Sequence, residues 1–488
     1  MASAVGTPQV SISPKLAIVE DKIDIKITNL VPYAPVTVDS FYIEFGNMYM
    51  AFGHYFADAN GELHPNTTPS IGGTYVGVKP MGLFTSMQTL FSKSVGVRLA
   101  APFRDITSVM DYRINIWKGH CTIDQLHTYH FNELTEGIEL AGAEHHEYPI
   151  DNYKNERLCK GVSQRTYFLP EETTRTPVVV EHNGFKIVGV MHKPKAPGPF
   201  PALIDVFGGI GGCVETRAAL FARHGYAAFA CAYAQHKDLP HWPGLSDFPM
   251  TYFDAVVDWL LQQEDVYPHA CGMVGVSYGA QATLLLGVRN VRVCATICIN
   301  GNVSMLADPE ISGNPQQALT EKLKRMPSRG FTQFYHGMSG WPVPHETPKY
   351  DRPPIPGANP DCAHLFVLGE HEMRFPVALL HEELKHQLAA SGKTKVEFIT
   401  VEGAGHLLEP PYMPPSVATS AGQPIRFTNK EPVPKFDERR LMLNNWVQYW
   451  GGDPNRHEEG AVYAWEKMLH FMDVNLRQHN VKLDRAKM

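Results

Sequence analysis

A chain of 488 residues is longer than one hydrophobic core usually supports, so two domains are the first expectation. Hydrophobic residues make up 44% and charged residues 19%, a soluble globular balance, and a net charge of −7 argues against a nucleic-acid surface. No apolar run reaches membrane-spanning length; the best candidate, Ala218 to Ala234, is broken by Arg223 and His224. The opening Met1-Ala2-Ser3-Ala4-Val5 has neither an apolar signal core nor the Arg-rich look of a transit peptide, so neither is expected. Eight cysteines are scattered along the chain, and Cys231, Cys294 and Cys298 fall in apolar, strand-like runs. Such cysteines are expected to be buried free thiols in a reducing compartment.

Residues 14–165 carry period-two alternation. Ile23, Ile25 and Ile27 alternate with Asp24, Lys26 and Thr28, and similar runs follow at Val36–Phe45 and Tyr112–Trp117, with turn clusters such as Asp58-Ala59-Asn60-Gly61 between them. This pattern predicts an all-β sandwich over residues 1–168. The stretch around Leu169–Pro177 reads as the start of a linker, 169–180. Beyond it, apolar runs at Ala202–Phe207, Ala227–Tyr233, Met273–Val276, Val293–Ile299, Leu365–Leu368 and Val396–Val401 alternate with helical segments. A mostly parallel sheet flanked by helices, an α/β-hydrolase fold over 181–488, is predicted. Residues 310–360, rich in Pro and Gly, are expected to form a lid or loop excursion. Near the end, Trp465, Met468, Leu469, Met472 and Leu476 mark one face of a closing helix.

The chemistry is concentrated at Gly275-Val276-Ser277-Tyr278-Gly279. A strand-like run precedes this Gly-x-Ser-x-Gly turn and a helix-like run follows, the context of a nucleophile elbow. A serine hydroxyl needs a base, and the base needs an orienting acid; in an α/β-hydrolase the chain order is Ser, acid, His. The run Leu365–Leu368 ends in Gly369-Glu370-His371-Glu372, which offers Glu372 with Glu370 as its rival. Phe398–Val401 ends in Glu402-Gly403-Ala404-Gly405-His406, which offers His406. For the oxyanion hole, Tyr278 supplies one backbone N–H and the run Gly208-Gly209-Ile210-Gly211-Gly212, with Gly209 chosen, the other. Among 23 histidines, His381 and His386 resemble a zinc-binding helix, but a spacing of five separates them by about 140° around the helix axis. His145-His146 has no third ligand at a familiar spacing, so no metal is expected.

These residues resemble the family of type I acyl-CoA thioesterases and bile acid-CoA:amino acid N-acyltransferases, over nearly the whole chain. The resemblance rests on Gly72-Gly73 with Pro80-Met81-Gly82-Leu83, on Arg165–Pro170, on Pro199–Pro201 leading into Asp205–Gly208, and on Trp450-Gly451-Gly452. Its most specific part is Gly405-His406-Leu407-Leu408-Glu409-Pro410-Pro411-Tyr412. It implies Ser277 as nucleophile, Glu372 as acid and His406 as base, with glutamate where the family usually has aspartate. It also implies an acyl-CoA substrate; the reading is hydrolysis of a fatty or branched acyl-CoA to free acid and coenzyme A through an acyl-serine, and no cofactor is expected. The alternatives are transfer to glycine or taurine, for which the known conjugating relative uses a cysteine nucleophile, and general carboxylesterase activity. The tail Ala486-Lys487-Met488 is similar to the peroxisomal Ser-Lys-Leu address, so peroxisome or cytosol is expected.

Overall fold

The structure, a computed structural model, describes residues 6–44, 47–89, 97–98, 105–135, 156–208, 212–233, 236–239, 249–301, 359–373, 381, 384–385, 388, 395–408, 410–420 and 447–486. Gly209, His145-His146, His386, Glu409, the tail residues Lys487 and Met488, and the expected lid apart from Asn359 and Pro360 lie outside the described residues. The chain divides into two compact units. The first comprises Met1–Ala101, Ser108–Thr166 and Pro411–Tyr449, and the second Pro102–Thr107, Tyr167–Pro410 and Trp450–Met488.

The first unit is a sheet domain. Its main sheet has six strands in the spatial order Leu16–Ile18, Arg157–Thr166, Met110–Lys118, Pro35–Glu44, Asn47–Phe56 and Gln88–Thr89. Separate ladders pair Gln9–Ser13 with Asp24–Thr28, and Ala418–Ser420 with both Val97–Arg98 and Val447–Tyr449. The alternation read from sequence has a direct physical counterpart: Ile23, Ile25 and Ile27 are all buried. At the Asp58 turn, the carboxylate accepts the N–H groups of Asn60 and Glu62, and Gly61 takes a left-handed φ of 72°. The unit also carries a helix, Ile123–Thr135, that period-two reading did not register.

The second unit is built on eight strands, numbered here within it: β1 Thr173–His182, β2 Phe185–Pro194, β3 Phe200–Val206, β4 Ala227–Ala232, β5 Val266–Val276, β6 Val293–Ile299, β7 Ala363–Gly369 and β8 Val396–Val401. Their spatial order is 1-2-4-3-5-6-7-8. Only β2 runs against the others, and all pairings from β4 through β8 are parallel. The linker expected over 169–180 is therefore corrected, since most of it is β1. This strand lies at the sheet edge, where a proline such as Pro177 is tolerated because no second neighbour needs its missing N–H. Strands β3, β4, β6 and β7 are buried along their whole length, as sheets covered on both faces require.

Helices α1 Thr216–Arg223, α2 Thr251–Leu260, α3 Tyr278–Arg289, α4 His457–Met472 and α5 Gln478–Arg485 belong to this unit. Phe253, Val256 and Val257 of α2 join Ile204, Phe229 and Met273 of the sheet in one core cluster. Leu284 and Val288 of α3 join Cys298 and Phe366 in another. The closing face read from sequence is buried at Trp465, Met468, Met472 and Leu476 and half-buried at Leu469. Burying each such side chain stabilises by about 1.5–3 kcal/mol. All eight cysteines are free.

Candidate active site

Parallel strands deliver their C-terminal ends to one edge of the sheet, and the loops leaving those ends are where side chains from distant sequence converge. Ser277 follows β5, Asn300 follows β6, Glu372 follows β7 and His406 follows β8. Ser277 has φ 58° and ψ −120°, a strained backbone for a residue with a side chain and the mark of a sharp strand-to-helix turn. Two glycines make the turn possible. A Cβ on Gly275 would stand 2.2 Å from the Gly279 carbonyl oxygen, and one on Gly279 would stand 2.4 Å from that of Phe207. The turn is pinned to the neighbouring strand, since the Ser277 N–H donates to Ile299 O at 2.8 Å.

His406 Nδ1 lies 2.7 Å from Glu372 Oε2, with the two side chains 1% and 3% exposed. A carboxylate can only accept, so the proton belongs on Nδ1 and the lone pair on Nε2, the tautomer of a general base. The indole of Trp450 stacks on the imidazole with ring centroids 5.4 Å apart and planes within 14°, and its carbonyl accepts the His406 N–H at 2.8 Å. Glu372 forms a β-bridge with Gly451, the next residue. The Trp-Gly-Gly segment thus backs both members of the pair. Glu370, the rival acid, is turned elsewhere: its Oε2 accepts the Gly403 N–H at 2.8 Å, and its side chain is 43% exposed.

The Gly-rich loop leaves β3 beside the serine. A Cβ on Gly208 would come within 3.1 Å of Ser277 Cβ. Tyr233, at the end of β4, holds this departure, its hydroxyl 2.8 Å from Phe207 O and 2.9 Å from Gly208 O. Burial, with smaller contributions from Tyr278 and Cys231, pushes the Tyr233 phenol well above its usual range, so it stays a donor. Tyr278, expected to give one oxyanion N–H, is the first residue of α3, while Gly209, expected to give the other, lies outside the described residues.

The far end of the loop is tied by ions. Glu215, just before α1, accepts two bonds from Arg175 at 2.7 and 2.8 Å and lies 3.0 Å from His192 Nε2. Burial alone would raise the Glu215 carboxyl, but the bonds from His192 and Arg175 bring it below its usual value. His381, weighed above as half of a zinc pair, packs edge-on against Phe366 and Phe398 instead. Sequence reasoning missed Asn300, Tyr233 and the part played by Trp450. The only signal for Asn300 was an Asn-Gly pair ending an apolar run.

Sheet order and strand-end placement define the second unit as an α/β-hydrolase. Residues 20–128 match the acyl-CoA thioester hydrolase/BAAT N-terminal region, and residues 248–478 match the BAAT/acyl-CoA thioester hydrolase C-terminal region. Human acyl-coenzyme A thioesterase 1 is 26% identical over 467 residues, 94% of this chain and 94% of the relative. Human bile acid-CoA:amino acid N-acyltransferase is 28% identical over 472 residues, 96% of this chain and 98% of the relative. Among solved structures, a putative dienelactone hydrolase from Klebsiella pneumoniae aligns with TM-score 0.37 and 15% identity, covering 61% of this chain and 98% of that one. The chain belongs to the acyl-CoA thioester hydrolase/BAAT family.

Proposed function

We propose that this chain hydrolyses acyl-CoA thioesters to a carboxylic acid and coenzyme A, with Ser277 as nucleophile, His406 as base and Glu372 as the orienting acid. The observation that carries this reading is the sealed 2.7 Å pair of His406 and Glu372, on the same strand-end row as a serine held in a left-handed turn. Ser277 Oγ attacks the thioester carbonyl as His406 Nε2 takes its proton. The oxyanion is held by the Tyr278 N–H and by the Gly-rich loop, where Gly209 is the proposed second donor. The carbon–sulfur bond breaks, and His406 returns the proton to the departing thiolate. Water, deprotonated by His406, then attacks the acyl-serine ester, and the acid leaves as Ser277 is reprotonated. Glu372 stabilises the imidazolium in both halves without itself changing protonation.

A serine ester resists amines more than a thioester does, which favours hydrolysis over transfer to glycine or taurine. Purified protein, offered a chain-length panel of acyl-CoAs with and without glycine and taurine, should give free acid as the main product by mass spectrometry. Predominant N-acyl product would replace hydrolysis with transfer as the reading. Turnover of Ser277→Ala at the wild-type rate would remove the serine mechanism.

A further inference from the structure

Asn300 is fully buried, follows β6 directly and has φ 46°, a left-handed conformation that asparagine tolerates better than other residues with side chains. Both polar atoms of its amide are engaged. Nδ2 donates to Gly405 O and to His406 O, each at 2.9 Å, and Oδ1 accepts the Gly369 N–H at 2.8 Å. Its own N–H donates to Val367 O at 2.9 Å. The residue before it, Ile299, accepts the Ser277 N–H, and a Cβ on the residue after it, Gly301, would stand 3.3 Å from Ser277 O. One side chain therefore joins the carbonyls of the histidine loop to the turn that carries Glu372, from a backbone already bonded to the serine turn.

The chemistry restricts who can occupy this place. Two donors aimed at carbonyls and one acceptor aimed at an amide require a carboxamide. Aspartate has the shape but presents oxygen to two carbonyl oxygens, and glutamine is one methylene too long. Glycine keeps the backbone conformation and supplies none of the three bonds.

We propose that Asn300 is a positioning residue for the Ser277–His406–Glu372 group. It clamps the loop bearing His406 against the turn bearing Glu372, so that imidazole and carboxylate meet at bonding distance. The inference rests on the catalytic reading above. It concerns the reacting geometry and not substrate affinity, because the amide's three bonds all go to backbone groups.

The test compares Asn300→Asp and Asn300→Gly with wild type, using Ser277→Ala, His406→Gln and Glu372→Gln as references. In the folded variants kcat should fall by about 10²-fold, the cost of a misplacement of about 1 Å, with KM close to wild type. Proton NMR adds a signature independent of turnover. A far-downfield Nδ1–H resonance, assigned to His406 by its loss in His406→Gln, should move upfield or broaden in both Asn300 variants, as it should in Glu372→Gln. Folded Asn300 variants with wild-type kcat and an unmoved resonance would overturn the inference. So would failure of both variants to fold, which would assign Asn300 to folding alone. If Ser277→Ala turns over normally the catalytic reading fails by itself, and the resonance still reports whether Asn300 sets the His406–Glu372 bond.

Discussion

Two buried histidine–carboxylate pairs sit in the two units, and distance does not tell them apart. His406 and Glu372 meet at 2.7 Å in the second unit; His130 Nε2 and Asp39 meet at 3.0 Å in the first, with neither side chain of either pair more than 3% exposed. Their surroundings differ. Asp39 lies within a strand of the six-stranded sheet and also accepts Trp117 Nε1 at 2.6 Å and Asn115 Nδ2 at 2.7 Å. His130 stacks flat on Phe41 with ring centroids 4.5 Å apart, and its Nδ1 is buried with no hydrogen-bond partner among the described residues. Glu372 and His406 instead hang from strand ends, at the same edge of the sheet as the strained serine turn. A histidine and an acid at bonding distance make a core fastener in one place and, by our proposal, a base in the other. The neighbourhood decides.

The comparison is broken most severely by Ser277→Ala or His406→Gln, each expected to lower hydrolysis by about 10⁴- to 10⁶-fold with an unchanged melting temperature. Glu372→Gln should lower kcat by up to about 10⁴-fold, because a neutral amide neither stabilises imidazolium nor fixes the tautomer. Asp39→Ala should do the reverse. Three buried donors lose their acceptor, so denaturant unfolding should show a loss of about 3–5 kcal/mol while kcat per folded molecule holds. Equal effects of Glu372→Gln and Asp39→Ala on kcat would erase the distinction between the two pairs.

A third pair, His192 with Glu215, sharpens the contrast through pH. The Glu215 carboxyl is held below its ordinary value of 4.5, so it stabilises the fold above that pH, and the benefit disappears as pH falls through the folded value. Glu215→Gln should thus cost about 1–3 kcal/mol at pH 7 and progressively less in the acid range, read from denaturant midpoints. The smallest effect is expected for Glu370→Gln, since the amide oxygen can still accept the Gly403 N–H: less than about threefold in kcat. A larger loss there than at Glu372 would reassign the acid.

Parallel strands were readable because burial on both faces demands unbroken apolar runs, and Ser277 and His406 because each needs a short run of small residues around it. Glu372 was not separable from Glu370 by pattern, since both occupy one turn and only its path decides which carboxylate faces the imidazole. The helix Ile123–Thr135 escaped because its buried residues include His127 and His130 beside Leu126, so its inward face does not read as hydrophobic. Strand β1 escaped because an edge strand tolerates the proline and threonines that otherwise signal a linker. Asn300 and Trp450 act through what they touch across the fold, and neither the Asn-Gly pair nor the Trp-Gly-Gly motif could show those contacts.

The chain leaves the second unit after Pro410, joins the first through Tyr449, and re-enters at Trp450, whose ring lies on His406. The two units are therefore not interchangeable cassettes along the gene. A fragment starting at Tyr167 would keep Ala418–Ser420 and lose Val97–Arg98, the strand it pairs with. Such a fragment should be less soluble than the full chain, whereas splitting the same polypeptide into two co-expressed pieces near 167 should let them reassemble. A chimera with a relative should meet the same rule: a single crossover between 166 and 411 separates sequences that fold as one unit, so a stable chimera should take the first unit and its returning segment from one parent.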